Sequence, residues 1–310
     1  MCEECGCHGG TDRSHSHEHG HEHEHEHGHE HEHGHEHTET GDEPPVDEPL
    51  RIAVTGKGGV GKSTLSAALA TRLAGEGDVV AVDADPDMNL AATIGCEQPP
   101  AITRERELIE ERAGAGGGLV RLSPGVEDVV ESHASAFGER GRLVTIGAPE
   151  AANTGCMCPE NSFVRSLVRS ALDADYAVLD MEAGIEHLGR GTAGDVDAMV
   201  VVVGPSRSAI ETAEGIQELA AEMGVEDVYA VVNRVREGEA DAVREALSLP
   251  VLETIPYDED VAAAALAGTP PVEASERLGE AAKRVLRGIR DPAGVEPDGA
   301  DAVTRAESDD

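Results

Sequence analysis

Aromatic residues make up only 2% of this 310-residue chain, with no tryptophan, two phenylalanines and three tyrosines, so any core must be built from Val, Leu, Ile and Ala. Lysine is almost missing as well: it occurs at positions 57, 62 and 283 and nowhere else. Basic residues number 24 against 62 acidic ones, a formal net charge of −38, which argues against nucleic acid or an anionic membrane as a partner. The acid is spread along the whole chain, the surface pattern that suits a hypersaline cytoplasm, where molar salt shortens the Debye length to roughly 3 Å and makes self-repulsion tolerable. No apolar run approaches the length of a membrane span. The opening Met-Cys-Glu-Glu-Cys lacks the basic and then apolar stretch of a secretion signal. These absences predict a soluble, cytoplasmic protein with no membrane partner.

What is there divides by composition. From His15 to His37 every second residue is histidine (His15, His17, His19, His21, His23, His25, His27, His29, His31, His33, His35 and His37), with Glu or Gly in most gaps. Such a segment has no apolar face to bury, so residues 1–37 read as a disordered, metal-binding Cys/His-rich tail. Residues 38–50, with Pro44 and Pro45, read as a linker, residues 51–288 as the folded domain, and residues 289–310 as a loose acidic end. Within 51–288, short apolar runs alternate with stretches of helical periodicity. Arg51–Thr55, Val79–Asp83, Leu119–Leu122, Arg142–Ile146, Tyr176–Asp180, Ala198–Val203, Val228–Val232 and Val251–Ile255 are the expected strands. The pattern predicts an α/β fold, a doubly wound and mostly parallel sheet covered by helices, with its chemistry at the carboxyl ends of the strands.

Gly56-Lys57-Gly58-Gly59-Val60-Gly61-Lys62-Ser63 fits G-x-x-x-x-G-K-[ST] and stands between an expected strand and an alanine-rich helix, the context a P-loop requires. Backbone N–H groups of Gly58, Gly59, Val60, Gly61 and Thr64 are candidates to wrap phosphate, Lys62 to meet the β and γ phosphates, and Ser63 to hold Mg²⁺. Lys57, directly after the first glycine, resembles the signature of the deviant-Walker ATPases related to MinD, ParA, arsenite-pump and nitrogenase iron proteins. That resemblance implies an ATP-dependent homodimer in which Lys57 reaches the partner's phosphates. It also implies that Asp85 orients the attacking water, that Asp180 serves the magnesium, and that Gly184 meets the γ-phosphate. Asn233, after an apolar strand, carries an amide suited to an adenine edge, and its neighbours do not form the Asn-Lys-x-Asp of guanine readers, so ATP is expected over GTP.

Cys156 and Cys158 flank Met157 just before Pro159 and Glu160, which read as the first turn of a helix whose apolar stripe includes Phe163, Leu167 and Ala171. A helix N-terminus favours thiolate, and one pair supplies two of the four soft ligands that a closed metal site wants. Two subunits on a two-fold axis supply all four. Cys96 stands alone and reads as a small packed residue. The stretch from Gly155 to Asn161, the segment Asp180-Met181-Glu182-Ala183-Gly184-Ile185-Glu186-His187-Leu188-Gly189-Arg190-Gly191-Thr192, the P-loop and Ile255-Pro256-Tyr257-Asp258 together resemble the CooC-type ATPases that mature the nickel centre of carbon monoxide dehydrogenase. The resemblance covers about residues 51–288 and implies one metal held between the paired Cys156 and Cys158 of a dimer. Arg234 differs mildly from the lysine frequent there. Met1-Cys2-Glu3-Glu4-Cys5-Gly6-Cys7 resembles the nickel motif that opens hydrogenase-maturation GTPases, which makes Cys2, Cys5 and Cys7 candidate Ni²⁺ ligands. Imidazoles also take Zn²⁺, so the metal of the tail is left open. The expectation is an ATP-hydrolysing nickel metallochaperone, with carbon monoxide dehydrogenase as its client and hydrogenase or urease as alternatives. Metal storage and an iron–sulfur electron donor are the rival functions.

Overall fold

The structure, a computed structural model, describes residues 49–114, 120–147, 159–182 and 196–294. Eight strands form one sheet in the order β3-β4-β2-β5-β1-β6-β7-β8. They are β1 (Leu50–Gly56), β2 (Val79–Asp83), β3 (Ser135–Phe137), β4 (Gly141–Thr145), β5 (Tyr176–Asp180), β6 (Ala198–Val203), β7 (Val228–Val235) and β8 (Val251–Pro256). Every neighbouring pair is parallel except β3 against β4. The central strands are continuous apolar text, Val79-Val80-Ala81-Val82 and Met199 to Val203 among them, and every one of these residues is buried, as a sheet covered on both faces demands.

Helices α1 (Lys62–Leu73), α2 (Leu90–Ile94), α3 (Arg106–Ala113), α4 (Glu127–His133), α5 (Pro159–Ala171), α6 (Arg207–Met223), α7 (Ala240–Glu245), α8 (Glu259–Ala267), α9 (Pro271–Ala274) and α10 (Glu276–Arg290) connect the strands. Their starts are written in the sequence. Ser206 caps α6 by accepting from the Ala209 N–H, Ser275 caps α10 through Leu278, and Asp258 caps α8 through Asp260 and Val261. The Ser275 hydroxyl also donates to Asp258 at 2.7 Å, tying two caps together. Helix α10 buries Leu278, Ala281, Ala282, Val285 and Leu286 and packs on α1 and β8. Helix α5 begins at Pro159 and buries Phe163, Leu167 and Ala171, as its stripe predicts.

One expectation is corrected. Leu119–Leu122 is no strand of the sheet: Val120 makes an isolated bridge to Gly114, Leu122 is 67% exposed, and Leu119 lies outside the described residues. The edge of the sheet is instead β3, which pairs antiparallel with β4 through Ser135, Ala136 and Phe137. Cys96 is partly buried and packs against the core. Among the described residues no helix is long and apolar enough to cross a membrane.

A candidate nucleotide site

Parallel register brings the site together. Val54 on β1 and Asp83 on β2 both pair with Asp180 on β5, so the two aspartates stand side by side at the carboxyl ends of their strands, next to the loop that leaves β1. That loop turns on glycines. Gly56 has φ +141°, and a Cβ there meets the Val202 carbonyl oxygen at 2.4 Å; Gly61, at φ +102°, is the N-cap from which α1 starts.

Lys62 is buried, with its Nζ 3.4 Å from Asp85 Oδ2. Asp85 thus stands as the counter-ion of Lys62 at the mouth of the loop. Asp180 is buried, and its Oδ1 accepts from Ser66 at 3.0 Å. Burial pushes the Asp180 carboxyl up to about 6, against the pull of the Ser63 and Ser66 hydroxyls and Lys62. Its Oδ2 is a buried oxygen with no hydrogen-bond partner among the described residues. An orphaned carboxylate oxygen beside the Ser63 hydroxyl fits Mg²⁺, which takes one or two protein ligands and fills its shell with phosphate and water. No group of three or more His, Cys, Asp or Glu side chains stands together as a metal cage among the described residues.

Asp83, to which the sequence reading gives no role, shapes the segment that follows β2. Its carboxylate accepts from the N–H groups of Asp85 at 3.3 Å and Leu90 at 3.1 Å, folding the turn that carries Asp85 back toward Lys62. Burial, with help from the charge of Asp180, raises Asp83 to about 7. The signal was its place: a carboxylate ending a wholly apolar strand, two residues before another. Thr55 donates to the Glu182 carbonyl at 2.9 Å and so fixes the chain where it leaves β5.

Two cavities meet at this loop. One, of about 240 Å³, is lined by Gly58, Gly59, Gly61, Lys62, Ser63 and Asp85 among others. The second, of about 270 Å³, lies between Asn233, Pro256, Tyr257 and Val261. Thr64 and Arg234 line both, so the two cavities adjoin. The structure therefore brings together Gly58, Gly59, Gly61, Lys62, Ser63, Thr64, Asp85, Asp180 and Asn233. Val60 is buried under the loop and does not line the first cavity. Lys57 turns away from its own loop: its ammonium donates to the Ser208 hydroxyl near the start of α6. Gly184, Cys156, Cys158 and the tail candidates Cys2, Cys5, Cys7 and His15 to His37 lie outside the described residues.

Comparison with known proteins gives the same picture. The family model for the CobQ/CobB/MinD/ParA nucleotide binding domain matches residues 52–272. The carbon monoxide dehydrogenase accessory protein CooC of Rhodospirillum rubrum is 39% identical over 237 residues, 71% of this chain and 88% of that protein. An uncharacterized ATP-binding protein of Methanocaldococcus jannaschii is 35% identical over 233 residues, 71% of this chain and 90% of its own. Among solved structures, a ParA family ATPase from Chlorobium tepidum superposes with a TM-score of 0.59 at 20% identity, covering 77% of this chain and 99% of its own. The septum site-determining protein MinD from Pyrococcus horikoshii, complexed with Mg-ADP, gives 0.56 at 19% identity, over 79% and 97%. At these identities the two structures speak for the fold alone.

Proposed function

The chain belongs to the CobQ/CobB/MinD/ParA nucleotide-binding family and is a CooC-like P-loop protein; from that premise we propose that it is an ATP-hydrolysing metallochaperone that delivers nickel to carbon monoxide dehydrogenase. The observation that carries this reading is the 39% identity to CooC in a chain whose sequence also has the pair Cys156 and Cys158 directly before Pro159.

In this reading adenine occupies the 270 Å³ cavity against Asn233 and the phosphates lie in the glycine loop. Lys62 exchanges its Asp85 partner for the β and γ oxygens, which frees Asp85 to orient water. Ser63 and Asp180 would hold Mg²⁺, which would supply positive charge to neutralise the phosphates. Gly184 meets the γ-phosphate, and Lys57 leaves Ser208 for the nucleotide of a second subunit. Cys156 and Cys158 of two subunits hold the nickel cargo between them, and the ATP state selects between a holding and a releasing dimer. Residues 1–37 gather nickel, or zinc, for transfer to that pair.

The test is activation of nickel-free carbon monoxide dehydrogenase by the full-length protein with Ni²⁺ and ATP. Wild type should restore activity. Lys57→Ala should bind ADP normally yet lose hydrolysis and activation by ~100-fold or more, the scale of a lost transition-state cation. Deletion of residues 1–37 should be rescued by added nickel. A deletion that fails at every nickel concentration supports storage as the function instead.

A further inference from the structure

Four glycines, at 56, 58, 59 and 61, make the P-loop backbone permissive, and a Cβ at Gly58 or Gly59 meets nothing within 4 Å. A loop of that composition has many conformations open to it, and within it the Val60 N–H donates to the Lys57 carbonyl at a long 3.4 Å. Two consecutive side chains of β7 hold it from outside. Asn233 Nδ2 donates to the Val60 carbonyl at 2.8 Å, and the Arg234 guanidinium donates to the Gly59 carbonyl at 2.6 Å. Arg234 also donates its backbone N–H to Asn233 Oδ1 at 2.9 Å, which sets the amide so that its nitrogen faces the loop.

Consecutive residues of a regular strand point to opposite faces, so this arrangement needs an irregular one. The strand supplies it: the β7–β8 register shifts between Asn233 and Val235, and Arg234 has φ +60°, a conformation that side chains other than glycine rarely adopt. The bulge and the left-handed residue together bring both side chains onto the loop. Since each carbonyl shares a rigid peptide plane with the next N–H, fixing the oxygens of Gly59 and Val60 also fixes the N–H groups of Val60 and Gly61.

We propose that Asn233 and Arg234 form a strap that presets the phosphate-binding conformation of the P-loop, making Arg234 a positioning residue for the polyphosphate of the nucleotide. The inference rests on nucleotide occupying the glycine loop and is independent of nickel. It gives Asn233 a second duty beside the adenine cavity that it lines. The strained backbone at Arg234 is maintained for the bond its guanidinium makes, as strain at a functional position commonly is.

The experiment compares ADP and adenosine binding to the full-length protein, each with a thermal melt and amide hydrogen exchange over Gly59–Ser63. Arg234→Gly relieves the left-handed residue and removes the strap. Its melting temperature should be unchanged or higher, its ADP affinity about tenfold lower and its adenosine affinity within about twofold of wild type, with faster exchange in the loop. Arg234→Lys should recover part of the ADP affinity through a single ammonium. The proposal is overturned if Arg234→Gly binds ADP like wild type, if adenosine weakens by the same factor as ADP, or if lysine does no better than glycine. Lys62→Ala is the separate control, expected to abolish ADP binding; if it binds ADP like wild type, the nucleotide reading of the loop fails rather than the strap.

Discussion

Two neighbouring carboxyl groups set how the site answers to pH. Burial raises Asp180 to about 6 and Asp83 to about 7 from an ordinary value of 3.8 in each case. The folded protein therefore holds more protons than the unfolded chain between these values. The stabilisation these groups give is complete below about 4 and is lost as pH climbs through 6 to 7. In the proposed site Mg²⁺ would need Asp180 ionised, so the same rise in pH that weakens the nucleotide-free protein would favour the metal. Asp180→Asn removes the titration. Its melting temperature, without nucleotide, should gain on wild type as pH is raised from 5 to 8, while Mg²⁺ no longer tightens ADP binding. Melts at both pH values check this; a difference between the two proteins that stays constant with pH contradicts it.

At the scale of elements, the loop after β1 depends on how closely that strand runs beside β6. Gly56→Ala drives a Cβ to 2.4 Å from a backbone oxygen of the buried strand β6, which has no room to retreat. A loss of about 1–3 kcal/mol is expected, read as a lower urea midpoint at constant slope. Gly58→Ala, with open space around it and no left-handed backbone, should stay within about 0.5 kcal/mol of wild type. Most strands were legible because burial on both faces writes them as unbroken apolar runs. The exceptions have physical reasons. Strand β3 is a three-residue edge that takes its register from β4, a cue no local pattern carries, whereas the apolar Leu-Val-Arg-Leu run at 119–122 ends in an exposed Leu122. In the site, the P-loop was readable from spacing, Asp85 and Asp180 came from the family resemblance, and Asp83 was missed. The grip of Asn233 on Val60 spans 173 positions and exists only because β6 joins β1 to β7 in the sheet.

Over the whole molecule, 62 acidic residues against 24 basic ones leave the chain repelling itself, and the proposed dimer would double that burden. Screening should relieve it: we expect the melting temperature to rise by ~10 °C between 0.1 M and 2 M KCl, the shift that a few kcal/mol produces in a domain of this size. A melting temperature indifferent to salt contradicts a surface built for high ionic strength. The central claim is that ATP and nickel are coupled through Cys156 and Cys158, and the most direct measurement is anaerobic Ni²⁺ binding at molar KCl, with and without ATP, to wild type and to the Cys156→Ser/Cys158→Ser variant, both lacking residues 1–37. The account predicts about one nickel per two chains, from four thiolates, changed by ATP and absent from the variant. Nickel that persists in the variant, or binds equally with and without ATP, contradicts it.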